Sequence, residues 1–589
     1  MTPHTLGRER YIDSKFCRYA LEERVKNIIL RIKQNKWSYP IILNSVIFIC
    51  MISLFYVRFA SELDIIMNAL VSGVIGGKGI SHILFNNIIV GGILSVLYEC
   101  MPTIPWYIIM HYVIALICMV IITYLICEKN TGTTGRIIAG IVSIFVGYEC
   151  LVRPMYMKTA AIAAVVSMWI LWHQIAKDKA KMTPYIAAIM LALVSSVLSF
   201  YVFVMASLLT CLVMLVHQLG NLHFAPDEQQ KMEIRIYAKK SWKSVVAMVL
   251  IIVLSLGLKI FDEQTYKGKE WKDVATVRDD MERLYAFGAP DFSKVEDELL
   301  EAGVTDVDAT VYQGYTEGLF VYDASMLDFF RITADKHLKF NGRNILQFFR
   351  TVPIQAFRTG MFYLWLILAV MLLYKGATSE NIMKVADSLL MAGIPYFVMY
   401  FSFGAKAEQL GMIAYLPSVV FLLLQLDDLE VADNREVIVY LSLAMLVLYY
   451  IFSDTFVNNL KNEDEICDVE EITEELSEQI HLIDFNDYVS KFSAFAVYPK
   501  GLNGGNTAFL NGIYAMVPGG NNIGHIDWRS MQNYEGCRFY MRASEEESLW
   551  LEHKIAHTLP MYPELRHKSF YFFDMTHIAY TDENTDTGK

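Results

Sequence analysis

The sequence predicts an all-α polytopic membrane protein with about 11 transmembrane helices and a small mixed α/β region at the C-terminus. Hydrophobic residues make up 54% of the 589 residues, more than one soluble core can use. They form long runs, and a helix needs about 20 such residues to cross a bilayer. Lysine and arginine cluster in alternate connectors between these runs. The formal net charge of -12 gives no reason to expect nucleic acid binding.

The N-terminal part of the chain is a basic tail followed by an apolar run. Residues 1–38 are polar and rich in lysine and arginine, and the run at 40–58 follows them. This run is too long for the apolar region of a signal peptide, and it lacks a small-residue cleavage site. We therefore interpret it as a signal anchor that keeps the N-terminus in the cytoplasm.

Residues 39–454 are predicted to form the transmembrane domain. When the spans alternate, the lysine-rich connectors fall on the inside. The acidic connector 427–436 fits less well, but acids contribute little to this rule. The stretch 184–219 contains no charged residue and no polar break between its two spans, so the position of its turn stays open. The predicted spans cover residues 40–58, 106–127, 135–152, 158–175, 184–200, 202–219, 244–261, 355–374, 384–403, 410–426 and 437–454.

This arrangement puts residues 60–105 outside the membrane as the first outer loop. Its apolar stretch 84–98 has roughly 15 residues, short of the roughly 20 needed to span. We therefore predict two juxtamembrane helices along the outer surface, at 64–76 and 83–99, joined by a glycine-rich turn. If 84–98 crossed the membrane instead, every later connector would be inverted and most lysines would lie outside.

Two other regions are soluble in character. Residues 262–350 form a predicted large outer loop with helical patterns at 279–287 and 294–302. Residues 455–589 form a predicted extracytoplasmic C-terminal domain. It begins with an acidic helical linker at 463–478, and aromatic, glycine-punctuated sequence at 492–499 and 569–573 predicts short strands.

The first outer loop carries the candidate catalytic residues. Glu62 and Asp64 come directly after the first span, at the lipid–water boundary, and His82 opens the second predicted juxtamembrane helix. A carboxylate in this place can take a proton from a hydroxyl acceptor while a lipid-linked donor lies in the bilayer beside it. Carboxylates that follow a span are also commonly plain solvated residues, and this alternative stays open.

The second outer connector carries two cations, Arg153 and Lys158, on the same predicted side as Asp64. A phosphate or diphosphate headgroup would favour such cations. They could equally anchor helix ends by extending to lipid headgroups. A divalent metal would need several convergent oxygen ligands, which the sequence does not show. We therefore predict no cofactor, and a divalent metal stays an alternative that the sequence does not support.

The first outer loop also resembles the opening of a group of bacterial membrane proteins that are similar to GT-C membrane glycosyltransferases. The positions that carry the resemblance are Glu62-Leu-Asp64-Ile-Ile-Met67, Val71-Ser72-Gly73, His82-Ile-Leu-Phe85-Asn86-Asn87, Gly91, Leu97-Tyr98, Pro102 and Pro105-Trp106-Tyr107. The large outer loop is similar to that group at Arg278-Asp-Asp-Met-Glu-Arg283-Leu-Tyr285, Ala302-Gly303-Val304 and Tyr322-Asp323. Typical members carry two adjacent acids where this chain has Leu63 and Asp64.

The resemblance implies a transferase in the bacterial plasma membrane that moves a sugar from a polyprenyl-phosphate carrier to a cell-envelope glycan or protein. Asp64 would be the general base, supported by Glu62 or His82, and the C-terminal domain would bind the acceptor or a partner. One alternative is a non-catalytic GT-C-fold protein that binds or presents a lipid-linked glycan, which Leu63 favours. Another is a transporter or flippase for such lipids, which should carry buried charges within its spans.

Overall fold

The structure is a computed structural model of the chain. It describes residues 35–268 and 358–452 with short gaps, and short pieces of 270–275, 296–302, 345–350 and 480–574. The described part is mostly helical.

The helices are numbered here in chain order. They are α1 Ser38–Leu54, α2 Glu62–Ser72, α3 Ile88–Cys100, α4 Trp106–Lys129, α5 Thr133–Gly147, α6 Tyr156–Ile175, α7 Met182–Leu198, α8 Phe200–His223, α9 Asp227–Thr265, α10 Glu296–Glu301, α11 Gly360–Lys375, α12 Ser379–Phe403, α13 Ala407–Gln425 and α14 Arg435–Phe452. A π-helical turn, Tyr148–Val152, continues α5.

Four helical segments within the described residues are long and apolar enough to cross a membrane. They are Trp106–Lys129, Thr133–Val152, Phe200–Gln218 and Ser241–Thr265. A helix also overlaps each of the eleven predicted spans, and the turn within 184–219 falls at Ser199. Several of these helices are shorter apolar segments, so the count of eleven spans stays a prediction.

The outer faces of these helices are apolar, as lipid contact requires. On Ser241–Thr265, the side chains of Val249, Ile252 and Val253 are all more than half exposed. An exposed apolar surface of this kind is unfavourable in water and favourable against lipid tails. The apolar helices are therefore consistent with a membrane protein.

Helix α6 lies at the centre of the helical bundle. It packs against α4, α7, α8 and α13, and 17 of its residues are buried. Its alanines allow close approach, and hydroxyls join it to α7: Ser195 Oγ donates to Ala160 O at 2.7 Å and Ser167 Oγ donates to Ala188 O at 2.8 Å. Small residues and interhelical hydrogen bonds of this kind are what hold helices together in lipid.

The two helices of the first outer loop differ in extent from the prediction. Helix α2 begins after Ser61, whose Oγ accepts a hydrogen bond from Leu63 N, and it ends where Gly73 adopts a left-handed φ of 80°. A left-handed residue that follows a helix is most often glycine, since a Cβ is strained there. Helix α3 begins later than predicted, after the N-cap Asn87, because residues 81–87 are irregular.

Helix α2 is buried on all its faces. The predicted surface helix would instead have one face open to solvent. Ten of its eleven residues, all except Glu62, are buried. Besides α3, they form one apolar cluster with residues from the large outer loop and the C-terminal region, namely Tyr266, Val274, Val489, Tyr498 and Val517. Residues that follow α9 and residues of the C-terminal region therefore belong to the same apolar cluster as α2.

The described strands of the C-terminal region form one five-stranded sheet. The strands are β1 Ile480–Ile483, β2 Thr507–Phe509, β3 Cys537–Arg542, β4 Pro563–His567 and β5 Phe570–Asp574. Their order is β2-β1-β3-β5-β4, with β1 parallel to β2 and β3, and β5 antiparallel to β3 and β4.

Other expectations for the outer regions have mixed outcomes. The strand predicted at 492–499 is wrong for residues 493–498, which form a turn and irregular chain. Helix α10 lies within the helical pattern predicted at 294–302. The helices predicted at 279–287 and 463–478 lie outside the described residues. The character of the whole C-terminal domain stays a prediction.

Candidate functional site

Asp64 is fully buried in the first turn of α2, and its two carboxylate oxygens have different surroundings. Its Oδ1 accepts a hydrogen bond from Tyr107 Oη at 2.8 Å and another from Tyr156 N at 3.0 Å. Its Oδ2 has no hydrogen-bond partner within the described part of the chain. Because two donors hold Oδ1, the orientation of the whole carboxylate is fixed.

Backbone pairing brings the second outer connector to Asp64. After α1 the chain is extended, and Arg58 N donates to Val152 O at 3.3 Å while Ala60 N donates to Pro154 O at 3.1 Å. This places the first residue of α6, Tyr156, beside the first turn of α2. The structure therefore joins the two outer segments in which the sequence placed its candidate residues.

A second set of hydrogen bonds positions Tyr107. This residue lies in the first turn of α4, and its backbone N donates to Tyr98 Oη at 3.1 Å. Tyr98 Oη in turn donates to Asn68 Oδ1 at 2.9 Å. Asn68 follows Asp64 by one helical turn, so the network connects α2, α3 and α4 around the carboxylate.

His111 is a further buried group beside Asp64, and the sequence analysis missed it. Its Nε2 lies 3.8 Å from Asp64 Oδ1 and has no hydrogen-bond partner among the described residues. Its Nδ1 lies 2.9 Å from Thr159 Oγ1, which is also within hydrogen-bond distance of Met155 O. The tautomer of His111 decides which of its two ring nitrogens carries the proton. In the sequence, His111 stands alone in an apolar run, which gives no sign of a place beside Asp64.

The environment of Asp64 raises the pKa of its carboxyl group towards neutral pH. Burial raises the pKa of Asp64 to about 7, and the hydrogen bonds from Tyr107 and Tyr156 and the charge of Lys158 oppose this only in part. A carboxyl group with a pKa near the working pH exchanges protons readily in both directions. Such a value is suited to general acid–base chemistry, although burial alone can also produce it.

The raised pKa predicts a pH dependence of stability. The native carboxyl holds its proton up to a pKa of about 7, against an ordinary value of 3.8. The native state therefore binds more protons between these values, so this group's contribution to stability falls as pH rises through the window, by up to about 4 kcal/mol. Asp64→Asn should remove the fall. Melting curves in detergent from about pH 4 to about pH 8 would measure it, and parallel profiles for the two proteins would contradict it.

Lys158 lies in a buried ion pair. Its Nζ is 2.6 Å from Glu149 Oε2, and the two residues are 2% and 6% exposed. Glu149 belongs to the π-helical turn, and its Oε1 accepts a hydrogen bond from Gly360 N, the first residue of α11. Arg153 is half-buried nearby, and its charge also acts on Glu149. The predicted contact of Arg153 and Lys158 with a donor phosphate stays a prediction.

Glu62 and His82 occupy other surroundings. Glu62 precedes Asp64 by two residues on the same helix, so the two side chains leave α2 on different faces. The ring of His82 stacks on Trp271, with centroids 4.2 Å apart, and meets Tyr266 edge-on. Burial lowers the pKa of His82. The predicted support of Asp64 by either residue stays a prediction.

The arrangement around Asp64 can move a proton to or from a bound hydroxyl. It offers one fixed carboxylate oxygen, a second oxygen with no partner among the described residues, and the nearby Nε2 of His111, which also has no partner among them. Among the described residues, no group of three or more His, Cys, Asp or Glu side chains could hold a metal ion.

The chain matches no family model, and no curated protein or solved structure is significantly similar to it.

Proposed function

We propose that this protein is a GT-C-like membrane glycosyltransferase that uses Asp64 as its general base. The observation that supports this most is the asymmetry of the carboxylate: Oδ1 is held by Tyr107 and Tyr156, while Oδ2 has no partner among the described residues. A base needs one oxygen in a fixed position and able to accept a proton. The pKa of Asp64, raised to about 7, fits that role.

In the proposed reaction, an acceptor hydroxyl gives its proton to Asp64 Oδ2. The hydroxyl oxygen forms a bond to the anomeric carbon of the sugar, and the bond from that carbon to the polyprenyl phosphate breaks. The electron pair leaves with the phosphate, whose charge Arg153 and Lys158 would balance. For Lys158 this requires the ion pair with Glu149 to open. No metal takes part in this scheme.

The proposal includes an orientation in the bacterial plasma membrane. The N-terminus would be cytoplasmic, eleven spans would follow, and the first outer loop, residues 262–350 and the C-terminal domain would lie outside. Four apolar helices long enough to span and the placement of lysines in the connectors support this orientation. The outer C-terminal domain would bind the glycan or protein acceptor.

This orientation predicts a labelling pattern. Single cysteines at positions 78, 290 and 520 should react with an impermeant maleimide in intact cells, and cysteines at 179 and 240 should react only after lysis. Lys78 is exposed in the structure, so its label is not limited by burial. Protection of position 78 together with labelling of 179 would invert the arrangement and remove Asp64 from the outer face.

A strain that lacks the gene tests the proposed activity. Deletion of a transferase gene should have two consequences. An envelope glycan or glycoprotein loses a sugar, and the polyprenyl-phosphate sugar accumulates with its sugar on the outer leaflet. A flippase would leave the sugar on the inner leaflet, so the side of accumulation separates the two functions. An unchanged glycan profile with no accumulated lipid-linked sugar would contradict the proposal.

Specific observations also support two alternative functions, a non-catalytic binding protein and a transporter. Asp64 and His111 have no exposed surface, and the hydrogen bonds to Asp64 would equally stabilise a non-catalytic protein that binds a lipid-linked glycan. The buried Glu149–Lys158 pair is the kind of feature expected of a transporter. Both alternatives predict that Asp64→Asn preserves function if the fold is kept.

A further inference from the structure

The C-terminal region contributes a short segment that lies against the chain leading to Asp64. We name residues 493–498 the strap. Ala494 N donates a hydrogen bond to Val57 O at 2.9 Å, and Val57 is 3% exposed. Val57 belongs to the extended chain after α1 that also pairs with residues 152–154. The strap therefore lies on the segment that positions Tyr156 and α2 around the carboxylate.

The side chains of the strap pack against α4 and against the two apolar clusters. Phe495 meets Tyr112 edge-on, with ring centroids 5.7 Å apart, and Tyr112 follows His111 on α4. Ala494 is 4% exposed and belongs to the core of the helical bundle. Tyr498 is 6% exposed and belongs to the apolar cluster around α2. The strap therefore connects the core of the helical bundle with the apolar cluster around α2.

The strap has fewer backbone hydrogen bonds than the elements around it. Among the described residues, Ala494 N–Val57 O is its one backbone hydrogen bond to the helical part of the chain, and Ala496 N donates within the strap to Ser493 O. Helices α2, α4 and α6 keep their own hydrogen-bond ladders and make many interhelical contacts. Segments with few backbone bonds open at the lowest free-energy cost.

A fully buried carboxyl needs a route by which another molecule reaches it. Asp64 and His111 have no exposed surface, and each has a polar atom without a partner in the described residues. We infer that the strap closes the route to Asp64 and that its release from Val57 and Tyr112 opens this route for the hydroxyl acceptor. The functional purpose of the opening rests on the proposed transferase, whereas the closure itself does not.

A cross-link between the strap and the extended chain tests the closure. Ala494 N donates to Val57 O at 2.9 Å, so the two residues are neighbours and we expect Val57→Cys with Ala494→Cys to form a disulfide. Cys467 and Cys537 are replaced by Ser in this background. The probe is a water-soluble carbodiimide with glycine ethyl ester, applied to membranes, with amide formation at Asp64 read by mass spectrometry. We expect modification to be at least about tenfold slower in the oxidised protein than after reduction.

Two controls make the test specific. Ala494→Cys alone should show the same rate under oxidation and reduction. Phe495→Ala should speed modification of Asp64, whereas Phe349→Ala, at a side chain that is 63% exposed, should not change it. Equal rates with and without the cross-link, or an unchanged rate in Phe495→Ala, would overturn the inference. Because the probe needs no sugar donor, such a failure leaves the proposed transferase to be judged by its own experiment.

Discussion

Lys158→Ala is expected to destabilise the protein by about 3–5 kcal/mol, because it leaves the charge of Glu149 buried without its partner. Glu149 would keep the hydrogen bond from Gly360 N, which cannot replace a neutralising cation. The effect should appear as a large fall in melting temperature in detergent, and as low protein in the membrane fraction. The Lys158→Ala result also bears on function, because a loss of phosphate binding can be assigned to Lys158 only in protein that is still folded.

The paired substitution and an exposed pair are the controls. Glu149→Gln with Lys158→Met removes both charges and should recover most of the loss, since no unpaired charge is left buried. Glu380 and Lys384 on α12 form an exposed pair at the same 2.6 Å separation. Lys384→Ala should cost only about 0.5 kcal/mol. Equal losses at the buried and exposed pairs would show that burial does not set the strength of the Glu149–Lys158 pair.

Asp64→Asn is expected to lower the rate of sugar transfer by about 10²–10⁴-fold, the usual contribution of a general base. The amide oxygen can still accept the hydrogen bonds from Tyr107 and Tyr156, so the fold should be kept. Transfer is measured with membranes and their own lipid-linked donor pool. The matched control is Glu62→Gln, which removes the neighbouring acid on another face of α2 and should change the rate much less.

The helical framework was largely predictable because its signal is local. A run of about 20 apolar residues and a polar connector are visible in the sequence itself. The glycine-rich turn at 76–79 was also predictable, since Gly76 and Gly77 adopt left-handed φ values, but the helix before it ends at Ser72 rather than at the predicted residue 76. The cover of α2 was not, because Tyr498 and Val517 lie more than 400 residues further along the chain. No periodicity in α2 reveals what packs over it.

In the candidate site, too, the local features were predictable from the sequence and the contacts between distant segments were not. Asp64 was found from its position after the first span, which is a local feature. Its contact with Tyr156 N depends on backbone pairing between two distant segments, and the role of Lys158 depends on where a π-helical turn places Glu149. His111 lies in an apolar run, where a lone histidine gives no signal until its neighbours Asp64 and Thr159 are known.

The most direct test of Asp64 as a general base is complementation of the deletion strain by Asp64→Asn, read as the cell-envelope glycan profile. Protein level in the membrane fraction is matched to the wild type, so that a folding defect is not mistaken for lost catalysis. The account predicts that the variant is present at a normal level and that the glycan stays missing. Full restoration of the glycan by Asp64→Asn would contradict it.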